Sequence, residues 1–374
     1  MPRRRSRYSV HIVLTDHYIQ RNKPAGNLTA PLEEPENVPE TQGNLVPFYP
    51  RQLSNTPEDK LYLAAARLKA SNGDRNEIRN FEQEMNRFKP AQAEFYAVLG
   101  EAYAQAGNAQ AAEKWMSEAH ARAPGYRPIL EQLVELLFSE GKYRQAASLL
   151  KQALEIPPLD SALFADLGNA YARMGDLDDA EATLKRATEI DPETAQAHNL
   201  LGLVALERGD AARAEQEFHE ALRLQPDLAE ADDNLGKLLL GGRDLKQAQY
   251  YLKKAIAVDP GNADSHHSYG LLLMLRKDFP ASANELRTAI SLNPGDALAQ
   301  SDLGDVLSEQ GDDSGAAQAY RQALRIQPDL PQANLGLGTL LRHQGQIGES
   351  RRLCRTAAQS PDPSIRHDAL SCLQ

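Results

Sequence analysis

The distribution of apolar residues along this chain is periodic on two scales. Locally, apolar side chains recur at three- and four-residue steps, the signature of helices that bury one face. Over a longer range the whole pattern repeats every 34 residues. Glycine recurs at Gly168, Gly202, Gly236, Gly270, Gly304 and Gly338, with Gly100 extending the row and Val134 filling its gap. Twelve residues after each comes a small residue, from Ala112 and Ala146 to Ser350. Seven further on stands an alanine in every unit: Ala119, Ala153, Ala187, Ala221, Ala255, Ala289, Ala323 and Ala357. Proline closes seven of the eight units, as at Pro192 and Pro226. Positions 4, 7, 8 and 11 of a unit share one helical face. A Gly-Asp turn and a second apolar helix follow. The glycines and alanines are small where two helix backbones approach closely, Gly175 is suited to the left-handed cap that ends a first helix, and proline stops the second. One such hairpin cannot bury its apolar faces alone, so the units must stack.

This pattern resembles the tetratricopeptide-repeat (TPR) family, W-x2-L-G-x2-Y, then A-x3-F, then P. Unit 161–194 carries it as Phe164, Leu167, Gly168, Tyr171, Ala180, Leu184, Ala187 and Pro192. The resemblance implies an all-α fold, a right-handed superhelical solenoid of TPR helix-turn-helix repeats. Eight repeats occupy residues 93–364. A degenerate unit precedes them at 59–92, where Ala66, Gly73 and Pro90 fall in phase. A short C-terminal cap is expected over 365–374. Residues 22–58, rich in Pro, Asn, Glu and Gly, read as an extended linker.

In a TPR solenoid the first helix of each unit lines a concave groove. Positions 2, 5, 9, 12 and 13 lie opposite the core face and are expected to point into it. They offer Asn199, Leu203 and Leu206 in one unit, Asp233, Lys237 and Leu240 in the next, then His267, Leu271 and Met274. Ser301, Asp305 and Ser308 follow. This is an apolar middle with acidic residues nearby, suited to an amphipathic or extended segment of a partner protein that carries basic side chains. Some TPR proteins grip a C-terminal carboxylate with groove lysines. Position 5 here reads Ala97, Glu131, Ala165, Asn199, Asp233, His267, Ser301 and Leu335, with no lysine, which argues against that clamp.

Charge sharpens the picture. The net charge of −11 disfavours a general nucleic-acid role, which needs a basic surface. The excess lies in residues 59–364, with 33 basic against 45 acidic side chains, and favours basic partners or simply solubility. No run of 18 apolar residues is present, so no membrane span is expected. The apolar run Val10–Leu14 is too short for a signal-peptide core. Cys354 and Cys372, 18 residues apart, fit no metal spacing and build no disulfide framework. Cys354 falls in the core row of Leu184 and Phe218. His266 and His267 are adjacent, with no carboxylate at ligand spacing along the chain. Trp115 is expected to pack between repeats. No P-loop, G-x-S-x-G or H-E-x-x-H occurs, and the repeats leave no room for an ordinary catalytic domain. The chain is expected to be no enzyme, to need no cofactor, and to act as a scaffold or adaptor.

Residues 1–21 point elsewhere. Met1-Pro2-Arg3 and His11-Ile12-Val13-Leu14-Thr15-Asp16-His17 resemble the closing stretch of bacterial multihaem cytochrome c domains fused ahead of TPR arrays. That resemblance implies a C-terminal part of a longer periplasmic protein, docking redox partners, in which His11 and His17 ligate haems held upstream. The sequence itself has no C-x-x-C-H and so attaches no haem. The alternative is a basic tail with two unremarkable histidines on a cytoplasmic protein. An end-to-end dimer is a further expectation, because the cap is thin.

Overall fold

The computed structural model describes residues 56–374 apart from position 72. His11, His17 and most of the linker lie outside the described residues. Among the described residues there are nineteen α-helices and no strand. They come in consecutive pairs joined by short turns. The first six are α1 (Pro57–Ala70), α2 (Arg75–Phe88), α3 (Ala93–Gln105), α4 (Ala109–Arg122), α5 (Arg127–Ser139) and α6 (Tyr143–Leu154). Then come α7 (Ser161–Met174), α8 (Leu177–Ile190), α9 (Ala195–Glu207), α10 (Ala211–Leu224), α11 (Ala229–Gly241) and α12 (Leu245–Val258). The chain ends in α13 (Ala263–Leu275), α14 (Phe279–Leu292), α15 (Ala297–Glu309), α16 (Asp313–Ile326), α17 (Pro331–His343), α18 (Ile347–Ala357) and α19 (Pro363–Leu373). Two compact units divide this series, one ending at Ala153 and the other spanning Leu154–Gln374.

In the first unit, Phe81, Phe95, Leu99 and Trp115 form the core with Ile129 of the following pair. Trp115 is 6% exposed and its ring faces that of Tyr96 at 5.9 Å.

The second unit shows why the small residues recur. A Cβ added to Gly202 would lie 2.5 Å from Cε1 of Phe218, and one on Gly168 would lie 2.5 Å from Cγ of Leu184. Each glycine of the row is therefore the seat of a bulky side chain from its partner helix. Phe218, Leu184, Leu252 and Leu286 are all fully buried on such seats. Ala187, Ala221, Ala255 and Ala289 are fully buried too. Serine replaces alanine at 282 and 350 without leaving a buried hydroxyl unpaired. Ser282 Oγ donates to the carbonyl of Gly270, and Ser350 Oγ to that of Gly338, both at 2.7 Å.

The turns are also built from sequence. Asp210, Asp244, Asp278 and Asp312 each accept a hydrogen bond from a backbone amide in the first turn of the second helix. The preceding position is left-handed: Gly175, Gly209 and Gly311 have φ near +80°. Arg243 and Lys277 take that place in two turns, at φ 63° and 61°. An L side chain there costs energy that glycine avoids. Lys277→Gly is expected to raise stability by up to about 1 kcal/mol, the relief of left-handed strain net of glycine's extra chain entropy. A melting temperature at or below that of the wild type would count against this account.

The two cysteines depart from the sequence reading. Cys354 on α18 and Cys372 on α19 are joined in a disulfide, with Cα atoms 6.1 Å apart. Cys354 is fully buried, as its place in the core row implies. The spacing of 18 residues hid the pairing because only the return of α19 across α17 and α18 brings Cys372 back to it.

Candidate binding face on the first helices

The residues singled out from the sequence for partner binding, from Asn199 to Asp305, all lie in the second unit, on α9, α11, α13 or α15. Their surroundings sort them into two sets. Asn199 and Asp233, at position 5 of their repeats, are 2% and 4% exposed. They sit too deep to be the first contact of a partner. Asn199 and His267 instead reach across from position 5 to position 6 of the next repeat. Asn234 Nδ2 donates to Asn199 Oδ1 at 2.9 Å, and His267 Nε2 lies 2.6 Å from Asp302 Oδ2. These side chains join one first helix to the next. Asp233 also holds Lys237 Nζ at 2.6 Å, one turn along α11.

The second set is half-buried: Leu203, Leu206, Leu240, Leu271 and Met274, with Lys237, His267 and Asp305. The leucines and Met274 occupy positions 9 and 12, the strip of the first helices not covered by their own second helix. Leu203, Leu206 and Leu240 rest on the buried core around Phe218 and Leu235, and Met274 rests on the next cluster. They are thus held from below and reachable from above.

At α15 this apolar strip meets carboxylates. Asp302 is paired with His267, and Asp296 Oδ2 stands 3.4 Å from the other ring nitrogen. Burial pulls His267 down, but its bond to Asp302 and the fields of Asp302, Asp296 and Asp264 outweigh that and raise its pKa. Asp305 is different. Its partner is a neutral hydroxyl, Tyr320 Oη at 2.6 Å. Burial pushes the Asp305 carboxyl up to about 6, offset in part by the Tyr320 bond and reinforced by Asp302 and Glu309. The same burial and the Asp305 charge push the Tyr320 phenol up as well. Tyr320 reaches this face because two glycines flank its ring. A Cβ on Gly304 or on Gly336 would each come within 2.5 Å of Tyr320 Cε1.

His266 and His267, read from the sequence as lacking carboxylates at ligand spacing, each have one from another helix. His266 Nδ1 is 2.7 Å from Glu285 Oε2. Among the described residues no cluster of three or more His, Cys, Asp or Glu side chains is arranged to hold a metal ion.

A family model described as the cilia and flagella-associated protein 70 C-terminal domain matches residues 62–303, and a TPR-repeat model matches 304–345. The chain belongs to that TPR family. The solved structures agree on this fold. A chain of the crystal structure of the APC/C hetero-tetramer Cut9–Hcn1 superposes with a TM-score of 0.62 at 14% identity, over 85% of this chain and 63% of that one. The match thus covers less than two thirds of that protein's length. The pilF protein of Pseudomonas aeruginosa gives a TM-score of 0.51 at 19% identity, over 56% of this TPR chain and 96% of that one. No curated protein sequence matches the chain. Among the described residues of this TPR protein, no helix is long and apolar enough to cross a membrane.

Sequence reasoning missed Asp302 and Tyr320. Asp302 stands at position 6, which the helical wheel did not assign to the groove. Tyr320 carried a usable signal, as an aromatic in a mostly aliphatic row followed by an extra glycine at Gly336.

Proposed function

We propose that this TPR chain is a protein-interaction scaffold whose first-helix face in the second unit binds an amphipathic segment with basic side chains. The reading is carried by the strip Leu203, Leu206, Leu240, Leu271 and Met274 running to the carboxylates of α15. Of these, Asp305 has a hydroxyl partner and acidic neighbours in Asp302 and Glu309. Apolar side chains of the partner would cover the leucines, and a lysine or arginine would place its charge at Asp305. Burial of the apolar strip supplies affinity and the carboxylates supply selectivity. The absence of a lysine at position 5 agrees with a ligand that brings positive charge instead of a carboxylate tail.

The test uses the full chain and two labelled synthetic peptides that alternate leucine with arginine or leucine with glutamate, read by fluorescence anisotropy. The arginine peptide is expected to bind with Kd on the order of 10 μM, and Leu271→Lys to weaken it at least about tenfold. Equal binding of the glutamate peptide, or an unaffected Leu271→Lys variant, would sink the proposal.

A second reading has one observation in its favour. The Cys354–Cys372 bond supports a site of action in an oxidising compartment, because disulfides persist there and are rare in cytosolic proteins. This suits the TPR part of an exported multihaem cytochrome c protein, where the same face docks redox partners. Haem absorbance of the protein purified untagged from its source decides it: a Soret band supports this reading, and a haem-free species with the mass of this chain alone removes it.

A further inference from the structure

We propose that the Cys354–Cys372 bond is an addressable latch on the terminal helix, opened by thiolate attack at Cys372 from a small thiol. The two sulfurs are not equivalent. Cys354 is fully buried on α18, where its Sγ fills the seat over Gly338: a Cβ there would come within 2.6 Å of it. No attacking group reaches that sulfur while α19 is docked. Cys372 is 8% exposed and lines a recess of about 70 Å³ with Arg342, Ile347, Ser350, Arg351 and Leu373. This space admits the CH2–S tip of a small thiol and excludes the surface of a folded partner. Arg351 is exposed at its rim. Arg342 donates to the carbonyls of Ser371 and Cys372, which fixes its guanidinium beside the end of α19. Two guanidinium groups at the entrance favour an arriving thiolate, the form that performs exchange.

The chemistry balances with a low-molecular-weight thiol of the glutathione class as co-reactant. The thiolate forms a bond to Cys372 Sγ, the Cys354–Cys372 bond breaks, and Cys354 leaves as a thiolate that takes a proton. A second thiol attacks the mixed disulfide, releasing oxidised thiol dimer and the Cys372 thiol. Two thiols are oxidised and one disulfide is reduced. With the latch open, α19 is held by Ala369, the half-buried Ile365 and Leu373 and the Arg342 bonds, while Leu370 faces outward. The face it covers on α17 and α18 is the one that the earlier repeats of the second unit present to their successors.

The experiment treats the oxidised full chain with glutathione, quenches with acid, alkylates, and maps the adduct by mass spectrometry. Amide exchange is followed in parallel. The expected early product carries glutathione on Cys372 and alkylated Cys354, at least about tenfold over the reverse. Amides of α19 are expected to lose about 100-fold in protection, the factor by which closing a loop of this length favours the docked form. Arg351→Gln is expected to slow exchange about threefold through the lost charge at the rim. Its melting temperature checks that the fold is intact. Adduct mainly on Cys354, unchanged protection of α19 after reduction, or an undiminished rate in a folded Arg351 variant would each overturn the proposal.

Discussion

Replacing Phe218 with alanine is expected to cost about 3–5 kcal/mol, the usual loss when a buried aromatic ring is removed and its space stays open. The ring is fully buried and lies in the core with Ala205, Leu235 and Leu239, so two consecutive repeats lose contacts at once. Collapse into the space is hindered because one wall is the bare backbone of Gly202. Gly202→Leu alone is expected to cost about 1–3 kcal/mol, since its Cβ would stand 2.5 Å from the ring. The pair together should cost less than the sum. A side chain at 202 enters the space vacated at 218, and the coupling should reach about 1–3 kcal/mol. Repeat arrays open locally, so amide exchange across α9 and α10 is the direct readout, with chemical denaturation as a check. Strict additivity would mean that the glycine row is not the seat of the bulky row.

That geometry also explains what could be read from the amino-acid sequence alone. The glycine, alanine and proline rows were legible because each occupies a position where one physical demand recurs in every repeat. They mark a seat for a side chain, a close helix contact or a helix stop. Sequence patterns report such repeated demands well. The proposed interaction face was only partly legible. Asn199 and Asp233 stood on the expected side of the wheel yet are buried, and Asn199 is bonded to Asn234 of the next repeat. A helical wheel describes one helix and has no neighbour in it. The disulfide was hidden for the same reason. Cys354 was placed correctly in the core row, but its partner arrives on a helix outside the repeat.

The deviations from the repeat are where function is most readily sought, since a stacking unit needs none of them. Tyr320 with Gly336 and Asp305 is one such deviation. Bringing a phenol through to the first-helix face requires a second glycine and leaves a carboxylate bonded to a neutral group. A plain leucine, as at 184, 252 and 286, would satisfy the core without any of this. The arrangement holds a carboxylate in a half-buried place with a neutral hydroxyl as its hydrogen-bond partner.

This half-buried carboxylate should make stability depend on pH. Asp305 has a folded pKa of about 6, above its unfolded value of 3.8, so the folded state binds the proton more tightly. Its contribution therefore favours folding as pH falls from above 6 towards 4, and the cost of the charge is present in full at pH 8. His267 acts in the same direction. Its folded pKa is raised above 6.5, so the stability it contributes is complete below that value and is lost as pH rises through the folded pKa. The two repeats around α13 to α16 should accordingly be more stable at pH 5.5 than at pH 8. Asp305→Asn retains an acceptor for Tyr320 and removes the charge. It is expected to gain on the order of 2 kcal/mol at pH 8 and about a third of that at pH 4.5, seen as a flattened pH dependence of melting and of amide exchange in α15 and α16. The same variant should weaken the arginine peptide at pH 8, because the charge that costs the free protein stability is the one the proposed ligand would relieve. Equal destabilisation at both pH values would instead make Asp305 a structural acceptor for Tyr320, with no charge held in reserve for a partner.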